Sequence, residues 1–396
     1  MTQSSLNLTP QRDFATKVSY AQLAAFGWFI FGMGPSMQFL RADLGLTRTV
    51  LSLHNIAGST GSIAAGLVTA SLIRRIGRGH LSRVASISLV IGIALYLGPT
   101  IIFTLPGAFL CGFAGVTILQ CTSSFLNSHQ GLAAPASISE VNALAAGIGL
   151  ISPIIIGSFV KAGIGWRAGI AVAALILVFV EIIRGRDVSP WGAPRNNEEH
   201  DDSHDAPGAM PGSFWWACLA LALTTACEAS ILTWGPELLH HQARFTPATA
   251  TQSLGLVVGA MGLGRWYASQ LVKRFDVEHM YQFSLAGTAV AFAIVWASHI
   301  QILTLIFLFV LGSMMSVHFP LGITRLMRAS QGRPDKGTAN SSITSGIGAG
   351  FAPFLVAWLA DGTSIVIAFV LVPITVITAL VFAMRNRVPL VSEQSI

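Results

Sequence analysis

The sequence predicts an all-α integral membrane protein in which twelve transmembrane helices form two pseudo-symmetric six-helix bundles. Three observations carry that prediction. Of 396 residues, 53% are hydrophobic and 10% charged, with a mean hydropathy of +0.67, a balance too apolar for a soluble globular protein of this size. Twelve apolar segments can be marked out, each near the ~20 residues a helix needs to cross about 30 Å of hydrocarbon. The second half also repeats the first at an offset of about 200 residues: Leu72-Ile73-Arg74-Arg75-Ile76 returns as Leu271-Val272-Lys273-Arg274-Phe275, and Gly34-Pro35 as Gly235-Pro236. Gly147-Ile148-Gly149 before Pro153 is echoed by Gly346-Ile347-Gly348 before Pro353. Paired Gly/Pro interruptions of this kind are what a repeat-built carrier needs, because broken helices expose backbone groups where a site can form.

The first six segments lie near 18-40, 49-73, 84-104, 106-128, 139-161 and 166-187. The second six lie near 213-237, 247-272, 279-299, 301-325, 338-360 and 364-385. The first is a span rather than a signal peptide, since the run from Val18 to Leu40 exceeds a signal's apolar region and lacks a cleavage pattern. The domains expected are 1-187, a cytoplasmic linker 188-212, and 213-396. The linker contains Asn196-Asn197-Glu198-Glu199-His200-Asp201-Asp202-Ser203-His204-Asp205 and reads as a solvated tether, with a metal site at His200 and His204 as the weaker reading.

Basic residues orient the chain. With the N-terminus inside, the cytoplasmic side receives most of the Lys and Arg, while the outside receives only Arg41, Arg48, Lys161, Arg167 and Arg244. That bias places both termini in the cytoplasm of a multi-pass protein. The net charge of +6 therefore reports orientation, not a nucleic-acid partner. Cys111, Cys121, Cys218 and Cys227 fall in predicted helices without ligand spacing and read as free buried thiols.

Ionisable groups inside a span cost several kcal/mol in hydrocarbon unless they face protein or water, so each is a functional candidate. In the first segment Trp28, Phe31 and Gln38 offer flat apolar and amide contacts, and in the second His54 and Asn55 are candidate lining residues. The fourth carries an uncharged polar stripe, Gln120, Cys121, Thr122, Ser123 and Ser124, which either binds a solute or serves as helix glue. Glu140 opens the fifth as a functional carboxylate or as an acid stabilising a helix N-terminus. Glu181, three residues before Arg184 in the sixth, has the spacing of a helical ion pair.

Glu228, near the middle of the seventh segment, is the only acid near the bilayer midplane. It is a candidate for proton uptake and release, the alternative being a hydrogen-bonded structural Glu. Trp234, near the end of that span, either supplies a flat apolar contact or serves as an interfacial anchor. Arg265 in the eighth either gates by ion pairing or snorkels to the cytoplasmic interface. His318, before Phe319-Pro320 in the tenth, either relays protons or is satisfied by a neighbouring hydroxyl.

The stretch Ala70-Ser71-Leu72-Ile73-Arg74-Arg75-Ile76-Gly77-Arg78-Gly79 resembles the loop signature G-x-L-x-D-R-x-G-R-[KR] that the major facilitator superfamily carries after helix 2. Leu72, Arg75, Gly77 and Arg78 match, while Ala70, Arg74 and Gly79 stand where the signature has Gly, Asp and a basic residue. The twelve segments, the long middle loop and Gly165-Trp166-Arg167 opening helix 6 are similar across the whole chain. The stretch from Gly147 to Gly157 loosely resembles the Gly/Pro motif of drug exporters, and Glu228 with Trp234-Gly235-Pro236 resembles a group of bacterial facilitator proteins.

This resemblance implies alternating access, outer helices 3, 6, 9 and 12, cavity-lining helices 4 and 7, a monomer, and a bacterial inner (cytoplasmic) membrane location. It makes Arg74, Arg75 and Arg78, with Arg265, the expected gating residues.

The function expected is secondary active transport of a small organic solute, proton-coupled, in the lipid bilayer. Glu228, His318, Glu140, Gln120, Trp28 and Gln38 are the proton-coupling or substrate-binding candidates. With no Lys or Arg at the midplane to offset an anion's lost hydration, the cargo is expected to be neutral, cationic or lipophilic. The alternative is a transporter-like receptor or assembly partner without transport. An enzyme is not expected, because no nucleophile-base pair, metal motif or nucleotide-binding Gly loop appears, and neither cofactor nor metal is implied.

Overall fold

The computed structural model describes residues 10–192, 210–271, 274–331 and 334–385. Six helices come first: α1 (Phe14–Leu44), α2 (Arg48–Ile76), α3 (Arg78–Tyr96), α4 (Ile101–His129), α5 (Ala134–Lys161) and α6 (Trp166–Arg184). They are followed by α7 (Gly212–Gln242), α8 (Pro247–Leu271), α9 (Val277–Ala297), α10 (Gln301–Met315), α11 (His318–Ala329), α12 (Pro334–Gly362), α13 (Ile365–Ala368) and α14 (Leu371–Arg385). The all-helical membrane architecture is as expected. Among the described residues, eleven stretches are long and apolar enough to cross a membrane. The exception, α8, has the length, at 25 residues, but opens on Pro247-Ala248-Thr249-Ala250-Thr251-Gln252-Ser253 and carries Arg265.

Two expected boundaries move, for local reasons. The break between the third and fourth segments lies at Leu97–Thr100, not near Pro106, because Gly98-Pro99 makes the turn and Ile101 to Leu105 already belong to α4. The tenth segment is two helices. Pro320 has no N–H to give the carbonyl four residues earlier, so the helix opens at Ser316–Val317 and restarts at His318.

Helix ends follow their capping residues. Asp13 accepts the Thr16 N–H at 2.9 Å to start α1, Thr47 accepts the Val50 N–H at 3.3 Å to start α2, and Gly45 closes α1 at φ 62°. Short loops then make successive helices antiparallel, so the start of α1 and the end of α14 lie on one face, the terminal face, opposite a far face.

α1 packs on α5 and α6, α2 and α3 on α4, α7 on α12 and α14, and α8 and α9 on α10. The main contacts between the first six helices and the rest are α2 on α12, α5 on α8, and α1 on α7, with α1 also touching α8. The α1–α7 crossing is set by sequence. Pro236 frees the Leu232 carbonyl, which points at Gly34, where an added Cβ would collide with it.

The polar interval does not begin as a tether. Ser189–Trp191 forms a turn of 3-10 helix, and Trp191, 2% exposed, is driven into the first bundle. Its indole N–H donates to Ser19 Oγ at 2.9 Å, and the Arg184 guanidinium lies 4.0 Å from its ring centre. His200, His204 and the rest of 193–209, like Lys273 of the repeated loop, lie outside the described residues.

Candidate functional site

Charge pairing singles out one residue. Among the described side chains, nearly every carboxylate within a helix has an arginine: Asp43 pairs with Arg167, Glu140 with Arg12, Glu181 with Arg83 and Arg184, Glu237 with Arg41 and Arg48, Glu278 with Arg325, and Asp361 with Arg48. Glu228 on α7 does not, and makes no hydrogen bond among the described residues. An ionised carboxylate left unpaired in a protein interior costs several kcal/mol, so a group placed this way is suited to changing its protonation.

Arg265 of α8 packs against the break in the tenth segment, and its position follows from that break. Pro320 leaves the Ser316 carbonyl without its helical N–H, and Arg265 Nε donates to that oxygen at 3.4 Å. Both Glu228 and Arg265 are half-buried. Arg265 therefore does not simply snorkel. It is tied inward to the α10–α11 junction.

A second charged cluster closes the far face. Glu237 of α7, 3% exposed, receives Arg48 of α2 at 2.6 Å and Arg41 of α1 at 3.1 Å. Asp361, near the end of α12, accepts the backbone N–H groups of Arg48 at 3.2 Å and Thr49 at 2.8 Å, and the Thr49 hydroxyl at 2.7 Å. It thus caps the positive end of the α2 dipole from another helix. Gln38 belongs to the same seam: its amide donates to Thr251 Oγ1 at 2.7 Å and to the Pro247 carbonyl at 3.2 Å. Sequence reasoning missed Glu237 and Asp361. The available signal was Arg41 and Arg48, which break the basic-inside pattern.

The other candidates are not brought together with Glu228. The Trp28 indole N–H donates to the Gly169 carbonyl at 2.8 Å, which buries the ring between α1 and α6. Glu140 is held at the terminal face by Arg12 at 2.5 Å and by the Tyr20 hydroxyl at 3.3 Å. His318, 1% exposed, starts α11 with Nε2 3.2 Å from Thr288 Oγ1, while its Nδ1 is buried without a hydrogen-bond partner among the described residues. Gln120 is half-buried, and its amide with Ser342 bounds the space beside Gly66 on the α2–α12 seam. Cys121 and Thr122 are buried away from Gln120 and Ser123, so the polar stripe splits between two helix faces.

Of the expected gating residues other than Arg265, Arg74 and Arg75 are exposed at the end of α2. Arg78 donates to the Ser124 carbonyl at 2.8 Å and to Ser128, tying α3 to α4. Arg325, a buried neighbour of Tyr281, pairs with Glu278 at 2.8 Å and makes the matching tie between α9 and α11.

A sequence profile of the Major Facilitator Superfamily matches residues 21–278. No curated protein matches the chain in sequence. Among solved structures, the chain is similar to the xylose transporter XylE from E. coli in a partially occluded inward-open conformation, with 12% identity, 95% of this chain and 99% of that one covered, and a TM-score of 0.74. It is also similar to the facilitator-superfamily transporter FucP in the outward conformation, with 12% identity, 94% and 98% covered, and a TM-score of 0.63.

Proposed function

The chain belongs to the Major Facilitator Superfamily, and from that premise we propose that it is a secondary transporter that couples a small organic solute to protons through Glu228. One observation carries the reading: Glu228 is the carboxylate left without an ion pair among helices whose other described acids are paired. A carboxylate that is tolerated protonated and costly when ionised takes a proton where it meets water and releases it where the field or exposure changes.

In this reading the bundles 1–187 and 213–396, joined by the linker 188–212, rock about the α1–α7, α2–α12 and α5–α8 seams. The cluster of Arg41, Arg48, Glu237 and Asp361 holds the far face shut, and solute and proton enter or leave from the terminal face. The bias of Lys and Arg supports a cytoplasmic terminal face, and the protein works as a monomer in a bacterial inner membrane. The cargo in this reading is neutral, cationic or lipophilic, because the spans hold no Lys or Arg at the midplane and Arg265 lies off to one side.

The test is transport in proteoliposomes with a pH gradient. Glu228→Gln should abolish gradient-driven accumulation while solute counterflow stays measurable. Loss of neither would remove Glu228 from the mechanism, and ligand binding without counterflow in the unmutated protein would favour a receptor.

A further inference from the structure

Arg83 on α3 holds the end of α6. Its guanidinium donates to the Arg186 carbonyl at 3.2 Å and to the carbonyl of Gly185, the residue that closes α6 at φ 67°. The repeat shows that this tie needs no charge. In the register that sets Leu72 against Leu271 and Gly147 against Gly346, Arg83 stands against Gln282, whose amide donates to the Ala383 carbonyl of α14 at 3.3 Å. Glu181 stands against Leu380 in the same register. The first bundle therefore carries ionisable groups at a place where the second ties its helices without them.

Those charges do not cancel. Glu181 lies 3.5 Å from Arg83 and 3.4 Å from Arg184, so two guanidiniums share one carboxylate. Arg184 is buried, but Arg83 keeps 25% of its side-chain surface and Arg186 is exposed next to it. Asp187, the other acid of this rim, accepts the Ser189 N–H at 2.8 Å and still leaves the rim net positive. A guanidinium has five N–H groups, and Arg83 spends three on the two carbonyls and Glu181, which leaves one on each terminal nitrogen.

A groove of about 380 Å³ runs from this rim toward the middle of the span, between α3 and α6. Ser86 and Glu181 form its polar end, and Ile87, Ile91, Val178 and Ile182 are its exposed apolar lips over a floor of Leu177. Ile87 and Ile91 follow Arg83 by one and two helical turns, so they continue its face of α3 for about 12 Å. Positive rim and apolar groove thus form one continuous surface.

We infer that this surface seats an anionic glycerophospholipid, with its phosphate on Arg83 and Arg186 and one acyl chain between α3 and α6. The paired terminal N–H groups of Arg83 match two oxygens of a phosphodiester. Basic clusters where helices leave the hydrocarbon attract anionic headgroups, and the groove adds apolar contact that a free anion cannot use. A choline headgroup brings a compensating cation to a rim that is already positive, so the anionic lipid is preferred. The seat belongs to the first bundle and does not depend on Glu228.

The experiment is native mass spectrometry and thermal shift of the full-length protein in detergent. The probes are dioleoyl phosphatidylglycerol, dioleoyl phosphatidylcholine and inorganic phosphate, and the variants are Arg83→Gln, Arg186→Gln, Ile91→Trp and Arg74→Gln. Phosphatidylglycerol should be retained and should raise the thermal midpoint more than phosphatidylcholine does. Arg83→Gln should weaken its binding about tenfold, the worth of a charge-assisted hydrogen bond, and Arg186→Gln should weaken it less. Ile91→Trp should also weaken it by filling the groove. Arg74→Gln, which removes an equal charge elsewhere on the terminal face, should leave binding unchanged.

If Arg83→Gln does not elute as a folded species, Ile91→Trp on the exposed lip carries the comparison. Equal binding of the two lipids would overturn the inference, as would phosphatidylglycerol binding that ignores both Arg83→Gln and Ile91→Trp. An equal loss in Arg74→Gln would assign the effect to diffuse attraction and overturn it too. Stabilisation by inorganic phosphate as large as that by phosphatidylglycerol would replace the lipid with a free anion.

Discussion

The Arg48 guanidinium and the Glu237 carboxylate meet across the seam between α2 and α7, with Nη2 2.6 Å and Nε 2.8 Å from Oε1. Arg41 approaches the same oxygen at 3.1 Å, and Oε2 has no hydrogen-bond partner among the described residues. The pair joins helices on opposite sides of the repeat, so it can exist only while the far face is closed.

Glu237→Gln should therefore open the far face. Removing one partner of a buried pair costs ~3–5 kcal/mol. Arg48 and Arg41 keep 20% and 27% of their side-chain surface, which lowers the expected effect to about 2 kcal/mol, or roughly thirtyfold in the closed-to-open ratio. Labelling of Gln38→Cys by a membrane-impermeant thiol reagent should accelerate by at least about tenfold. An unchanged rate would show that this cluster is not what keeps the face shut.

Trp191→Ala should destabilise the first bundle by about 3–5 kcal/mol, the cost of emptying a buried aromatic site. It removes the bond to Ser19 and the stacking on Arg184 together. Trp191→Phe keeps most of the ring and should lose about 1 kcal/mol for the missing indole N–H. Thermal midpoints in detergent measure both, and a Trp191→Phe midpoint equal to that of the unmutated protein would argue against the hydrogen bond.

Asp13 should give a pH-dependent contribution at the terminal face. Partial burial opposes its charge, but the hydrogen bonds from Thr16 and the pairing with His129 at 2.6 Å outweigh it and hold the carboxyl below its ordinary value of 3.8. A carboxyl lowered in the folded state lends stability that is complete above that ordinary value and is lost as pH falls through the lowered one. Asp13→Ala should cost about 1 kcal/mol at pH 7, where the N-cap is intact. The gap between the two proteins should shrink below about pH 3.8, and a gap independent of pH would assign the loss to packing instead.

Much of the fold was legible because it depends on neighbours in sequence. The apolar runs, the Gly-Pro pairs and the polar interval are local features, and they foretold the segments and their antiparallel order. Boundaries shifted where an apolar stretch concealed a turn, as at Gly98-Pro99. Trp191 was hidden inside a polar stretch because nothing adjacent to it announces that Ser19, 172 residues earlier, would receive its N–H.

The site was legible only in part. Glu228 stood out from sequence alone as a lone acid in an apolar span. Trp28 did not reveal that its partner was a backbone carbonyl on an outer helix, and Arg265 did not reveal whether it snorkelled or turned inward.

Hydrophobic length and the repeat determined by themselves that this chain is a twelve-segment membrane protein, because burying apolar helices in a bilayer depends on composition over about 20 residues. Only the tertiary structure decided which charges were neutralised. Arg48 lies 189 residues from Glu237 and 313 from Asp361, and Coulomb energy depends on distance in space rather than along the chain. That is why Glu237 is paired with Arg41 and Arg48 while Glu228 is left without an ion pair among the described residues.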